Sequence, residues 1–248
     1  ILKNSGSSKS YKIIKNIAWE EEKDLNLNLC KSGGCSSIYE PNRNLINNYP
    51  NPQRFDIVKK DLLRAKALDS ELSNLCIDFI KLDIQGAELS ALKGMKNTLK
   101  DCLGLEIEIF FGELYKNCPL YGTVNKFLTK SGFEFIDFLT ITRWERKQLN
   151  NKGQAIFGDG LWLRTPEYIA NKNHNDIIKY IAICSLYGRF DLIDKLLELK
   201  KGIINKKQFR IIKKLKNSQL KTRSVVKLAQ AFIFGFSEES TPRIHLMY

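Results

Sequence analysis

The sequence predicts an α/β fold, a mainly parallel sheet flanked by helices, followed by an all-α C-terminal extension. Three observations carry this. Two stretches, Phe79–Ile84 and Leu103–Phe111, are almost continuously apolar, the signature of strands covered on both faces. Amphipathic helical stretches alternate with strands between residues 78 and 164, the grammar of strand–helix–strand units. After Pro166 only helical periodicity remains.

In chain order, residues 1–10 are polar and rich in Ser and Lys and read as a helix remnant or loop. Tyr11–Trp19 is a strand candidate, and Glu20–Asp24 a charged turn. Leu25, Leu27 and Leu29 alternate with Asn26 and Asn28, a strand with one wet face. Ser32–Ser37 (SGGCSS) is a loop, and the Asn- and Pro-rich stretch Asn42–Pro52 is irregular. Phe55–Leu63 reads as a strand centred on Ile57 and Val58, and Leu68–Leu72 as a short helix.

The central stretch, Asp78–Gly94, is DFIKLDIQGAELSALKG. Gln85-Gly86 interrupts its apolar strand, and Gly permits backbone angles that other residues resist. Leu89, Leu92, Met95 and Leu99 then recur at steps of three and four, one face of a helix. A second helix spans Tyr121–Ser131, ended by Gly132. Phe133–Thr142 and Ala155–Arg164 are strands with only a polar loop between them, which predicts an antiparallel pair. Beyond Pro166, helices are predicted at 176–188, 190–199, 206–216 and 224–236, while the tail 237–248 reads as disordered.

Composition narrows the function classes. Hydrophobic residues make up 43% and charged residues 27% of the 248, ordinary for a globular protein. No apolar run approaches the ~18 residues that a membrane span needs. The six cysteines form no CxxC pair and have no His at ligand spacing, so no metal site is expected. Cys76 and Cys102 read as small buried thiols, and the default setting is reducing and cytoplasmic. The net charge is +13, yet Lys200–Lys227 holds eleven cations and no acid, leaving +2 for everything else. That basic stretch offers a surface for phosphate, nucleic acid or an acidic partner, or simply a solvated lysine-rich face.

The only two histidines, His174 and His245, lie in the extension, so acid–base chemistry in the α/β part falls to carboxylates and Lys. Asp83 ends the central strand, and ligands of open α/β sheets bind outside the carboxyl ends of strands. Its alternative role is to cap the turn that follows. Glu88, in the first helical turn, either serves the site or complements the helix dipole, worth about 0.3–1 kcal/mol. Glu106 and Glu108 share one face of their strand, as Lys81 and Asp83 share a face of theirs. If the two strands are neighbours, Lys81 pairs with Glu106 or Glu108, as a structural ion pair or as the polar floor of a site. Glu108 lies nearer the carboxyl end. Asp159, between two glycines, is a turn residue or a site carboxylate. Trp19 and Tyr115 line a pocket or pack in the core.

The central stretch resembles the motif of the FkbM-type S-adenosylmethionine-dependent methyltransferases. That pattern runs Asp, two apolar residues, Lys, apolar, Asp, apolar, Glu or Gln, Gly, Ala, Glu, then a Leu-rich helix and Lys-Gly, and every place is filled. Residues 105–137 resemble the family's next strand, Leu-Tyr turn, helix and Gly-Phe strand opening. FGDGLWLR resembles its closing strand, residues 17–42 its hairpin region, and AKALDSEL its Leu-Asp element. The resemblance covers roughly residues 11–165.

It implies a Rossmann-like class I methyltransferase sheet over residues 1–165, with 166–248 as a basic helical extension. The family's first βαβ unit, with its Gly-rich turn, has no counterpart before Tyr11, so the domain is expected to be N-terminally incomplete. The resemblance further implies S-adenosyl-L-methionine as cofactor, held by Asp83, Gln85, Glu88 and Trp19. The implied reaction is methyl transfer to a hydroxyl of a sugar or natural product, with Asp83, Glu108 and Lys81 as catalytic residues. The acceptor is a small molecule or glycan. The competing expectation is a catalytically inactive methyltransferase-like scaffold whose basic extension binds a partner or, through 200–227, nucleic acid.

Overall fold

The computed structural model describes residues 14, 16–73, 75–146, 151–217 and 244–247. The N-terminal strands are β1 (Ile17–Trp19) and β2 (Lys23–Cys30). After a 3-10 turn at Gly33–Cys35, the short helix α1 (Arg43–Ile46) and a second 3-10 turn at Pro52–Phe55 comes β3 (Ile57–Ala67). β3 pairs antiparallel with β2 and parallel with β1. These three strands form a small sheet of their own, in the order β1-β3-β2. β3 is longer than the sequence pattern suggests and is largely exposed, with Val58 and Leu62 open to solvent.

The main sheet follows. Helix α2 (Leu68–Leu72) leads to β4 (Phe79–Leu82), α3 (Glu88–Lys93), α4 (Thr98–Asp101), β5 (Gly104–Phe110) and α5 (Tyr121–Lys130). Then come β6 (Glu134–Phe138), β7 (Thr142–Trp144) and β8 (Gln154–Leu163). The helical part comprises α6 (Pro166–Ala170), α7 (His174–Leu186), α8 (Phe190–Leu199) and α9 (Lys206–Asn217), and β9 (Ile244–Met247) closes the chain. The strand order is β6-β8-β5-β4-β9, with β7 beside β8.

The sheet is mixed rather than mainly parallel. β4 runs parallel to β5 and β9, whereas β8 runs antiparallel to β5, β6 and β7. No helix separates β6, β7 and β8, and strands joined without a crossover return antiparallel. The tail, expected to be disordered, supplies β9. The predicted helix at 224–236 lies outside the described residues. The single helix expected after the central strand is two pieces, α3 and α4. The break falls at Gly94, where a Cβ would stand 1.8 Å from the carbonyl oxygen of Trp19 on β1. Only glycine lets the two backbones approach so closely. Leu89, Leu92, Met95 and Leu99 nonetheless all reach the same core. Asp69 starts the second piece, its carboxylate accepting the N–H groups of Asn97 and Thr98, both at 2.8 Å.

Each face of the main sheet has its own core. Ile80 and Leu82 of β4, with Leu105, Ile107 and Ile109 of β5, pack against α3 and α5. Phe79, Leu103, Leu161 and Leu163 point the other way, into a cluster with Ile177, Ile181, Ile193 and Ile212 of the helical part. The period-two alternation of strands therefore places Lys81, Glu106, Glu108 and Asp159 on that second face, beyond its apolar end. Cys102 is buried as expected, but Cys76 is exposed, because it precedes β4 rather than lying within it.

Candidate active site

The site is built where β4 ends and α3 begins. Gln85 and Gly86 both have positive φ, 52° and 99°, a sharp reversal that aims the Gln85 side chain across the sheet end. The reversal is pinned from two sides. Glu88 folds its carboxylate back to accept the N–H groups of Ile84 at 3.0 Å and Gly86 at 3.2 Å. The Ser37 hydroxyl, from the loop after β2, donates to the Gln85 carbonyl at 2.6 Å.

The Gln85 amide then joins three elements. Its nitrogen donates to Asp83 at 3.0 Å and to Glu108 of β5 at 2.8 Å. Its oxygen accepts from the Tyr115 hydroxyl at 3.1 Å, and Tyr115 is fully buried. Asp83 takes the side-chain amide of Gln85 rather than capping α3, whose N-cap is Ala87. Lys81 and Glu106 stand opposite each other in the β4–β5 register and form an ion pair, and Glu106 also accepts from Tyr187 of the helical part at 2.6 Å. Glu108 faces Asp159 across β5 and β8. Asp159 in turn accepts from the Thr140 hydroxyl at 2.6 Å.

The electrostatics follow from this crowding. Burial, then the charges of Asp83, Glu88 and Asp159, push the Glu108 carboxyl up to about 9, against the smaller opposing pull of Lys81. Glu108 therefore carries a proton at neutral pH. Burial raises Glu88 to about 7, while its backbone N–H partners favour the ionised form. Lys81 is raised: burial alone would lower it, but the hydrogen bond and charge of Glu106, with Asp159 and Asp83 beyond, outweigh that.

Of the residues singled out in the sequence, Lys81, Asp83, Gln85 and Glu108 come together, with Glu106 and Asp159 at their margin. Glu88 lies behind them and shapes the turn. Trp19 stands apart, in a small buried cluster with Ala65 and Ala87. Ser37, Thr140 and Tyr187 were not singled out. Each is an ordinary hydroxyl in its own stretch, and only the fold brings it to the turn or the carboxylates. Tyr115 was weighed as pocket wall or core; its hydroxyl anchors Gln85. Taken together, the residues provide a carboxylate and a protonated carboxyl bridged by one amide at a sheet end, a pair suited to accepting and holding a proton.

Residues 13–135 match the family model of the methyltransferase FkbM domain. Neither the curated proteins nor the solved structures yield a match. Gln85, its carboxylate partners and the turn that positions them all fall inside the matched span, so the candidate site lies in the part of the chain that is similar to the FkbM methyltransferase domain.

Proposed function

We propose that the chain transfers a methyl group from S-adenosyl-L-methionine to a hydroxyl of a small-molecule or glycan acceptor. In this reading residues 1–165 are the Rossmann-like methyltransferase domain and 166–248 its basic helical extension. The observation that carries the reading is the gathering of Asp83 and Glu108 on Gln85, at the end of the family's own motif.

The donor set suits the cofactor. Asp83, Glu88, Glu108 and Asp159 crowd one region, while Lys81 is committed to Glu106. Such a cluster of acidic side chains favours a bound cation, and S-adenosylmethionine bears a sulfonium and an ammonium group. When bound, it supplies an electrophilic methyl. Asp83 and Gln85 hold it, Glu88 fixes the turn beneath, and Trp19 backs that turn through Ala87. Asp83 accepts the acceptor's hydroxyl proton, Glu108 orients Asp83 through Gln85, and Lys81 holds Glu106 in place. In-line transfer depends chiefly on such positioning.

Calorimetric titration of the protein with S-adenosylmethionine is expected to show saturable binding. Asp83→Asn is expected to slow turnover by about 10²-fold or more, the usual worth of a general base. Unchanged turnover in Asp83→Asn would remove Asp83 from this role, and absence of cofactor binding would overturn the reading as a whole.

A further inference from the structure

Helix α9 begins with reciprocal hydrogen bonds. The Asn205 N–H donates to the Gln208 side chain at 2.7 Å, and the Gln208 N–H to the Asn205 side chain at 3.0 Å. This cap fixes which face turns inward: Gln208, Ile212 and Leu215 are buried. The outward face carries Lys206, Lys207, Phe209, Arg210, Lys213 and Lys214. Lys216 is held by Asp194 of α8, but no ion pair among the described residues engages the other five cations. Phe209 is 53% exposed and Leu199, at the end of α8, 43%. Between the two helices lies a groove of about 480 Å³, where Leu197, Ile204 and Phe209 meet Lys201, Lys206 and Arg210.

Cations and the exposed ring of Phe209 thus share the outward face of α9 and its groove, and Leu199 is exposed at the end of α8. A polyanion such as nucleic acid would satisfy the lysines, yet leave Leu199 and the groove hydrated. An anionic bilayer supplies both complements, phosphates for the cations and hydrocarbon for Phe209 and Leu199. We propose that the α8–α9 turn and the outward face of α9 dock on an anionic membrane surface. The contact is peripheral, since no helix among the described residues is long and apolar enough to cross a membrane. It stands independently of the methyl-transfer reading.

The test is co-sedimentation of the full chain with vesicles of phosphatidylcholine alone or mixed with phosphatidylglycerol, over a range of salt. Binding is expected only to the anionic vesicles and is expected to weaken with salt. Charge reversal at Lys206→Glu, Arg210→Glu and Lys213→Glu should weaken it by about fivefold or more per site. Phe209→Ser, which leaves the charge unchanged, should weaken it several-fold. Circular dichroism confirms that the variants fold; if the triple variant does not, Phe209→Ser and the salt series decide. Absent or equal binding to both vesicle types overturns the proposal. So does binding that Phe209→Ser leaves intact, the outcome expected of a contact made by charge alone.

Discussion

Glu108 shows how much of this site's chemistry comes from what surrounds a residue. Its carboxyl, ordinarily near 4.5, is held at about 9 by burial and by neighbouring acids. Between those values the folded protein keeps a proton that the unfolded chain gives up, so stability falls as pH rises through that window. Glu108→Gln retains an acceptor for Gln85 without a charge to bury. Its melting temperature should therefore match the parent near pH 4 and exceed it at pH 9, by about 1–3 kcal/mol of stability. An equal difference at both pH values would mean that Glu108 ionises normally. The same logic reaches the cofactor: a bound cation favours ionised Glu108. Titrations in buffers of different ionisation enthalpy should show proton release on binding, lost in Glu108→Gln. That Lys81 would pair with Glu106 or Glu108 was legible in the sequence from strand alternation and adjacency, and the β4–β5 register settles it on Glu106. The part played by Gln85 was not, since it depends on a left-handed turn and on Glu108 and Tyr115, 23 and 30 residues away.

At the scale of elements, strand positions were read well and their partners less so. Apolar runs reveal β4 and β5, and the polar loop foretold the antiparallel β6–β8 pair, but nothing local to β8 says that it will also pair with β5, or that β9 will pair with β4. Arg164 illustrates the gap. The sequence places it only as the last residue of a strand. In the fold its guanidinium is buried and donates to the carbonyls of Leu99, Lys100 and Cys102 at the end of α4, and to those of Ser131 and Gly132 at the end of α5. Phe133 stacks beneath it at 3.8 Å. One side chain thus satisfies the carbonyl ends of two helices, groups that are costly to bury unpaired. Lysine cannot reproduce this planar fork. Arg164→Lys should cost about 3 kcal/mol in urea unfolding; a loss below about 0.5 kcal/mol, the range of surface changes, would show that water serves those carbonyls equally well.

Across the molecule, the change of grammar at Pro166 was plain in the sequence, but not where the helices beyond it would settle. They pack on the second face of the main sheet and share a core with Phe79 and Leu161. One ion pair fastens this layer: Lys179 of α7 reaches Asp78, just before β4, at 2.9 Å, with both side chains less than a tenth exposed. The pairing was not legible, because Asp78 read only as the opening of the central motif and a Lys on a largely apolar helix is unexceptional alone. A buried pair adds little net stability over well-packed apolar residues, but removing one partner is costly. Lys179→Met should destabilise the protein by about 3–5 kcal/mol. The double variant Asp78→Asn/Lys179→Met should recover much of that loss, giving a coupling energy of about 1–3 kcal/mol in the cycle. Because the layer and the sheet share one core, near- and far-ultraviolet circular dichroism should report the same urea midpoint for each variant. Purely additive losses would mean that the core alone, and not this pair, fastens the helices to the sheet.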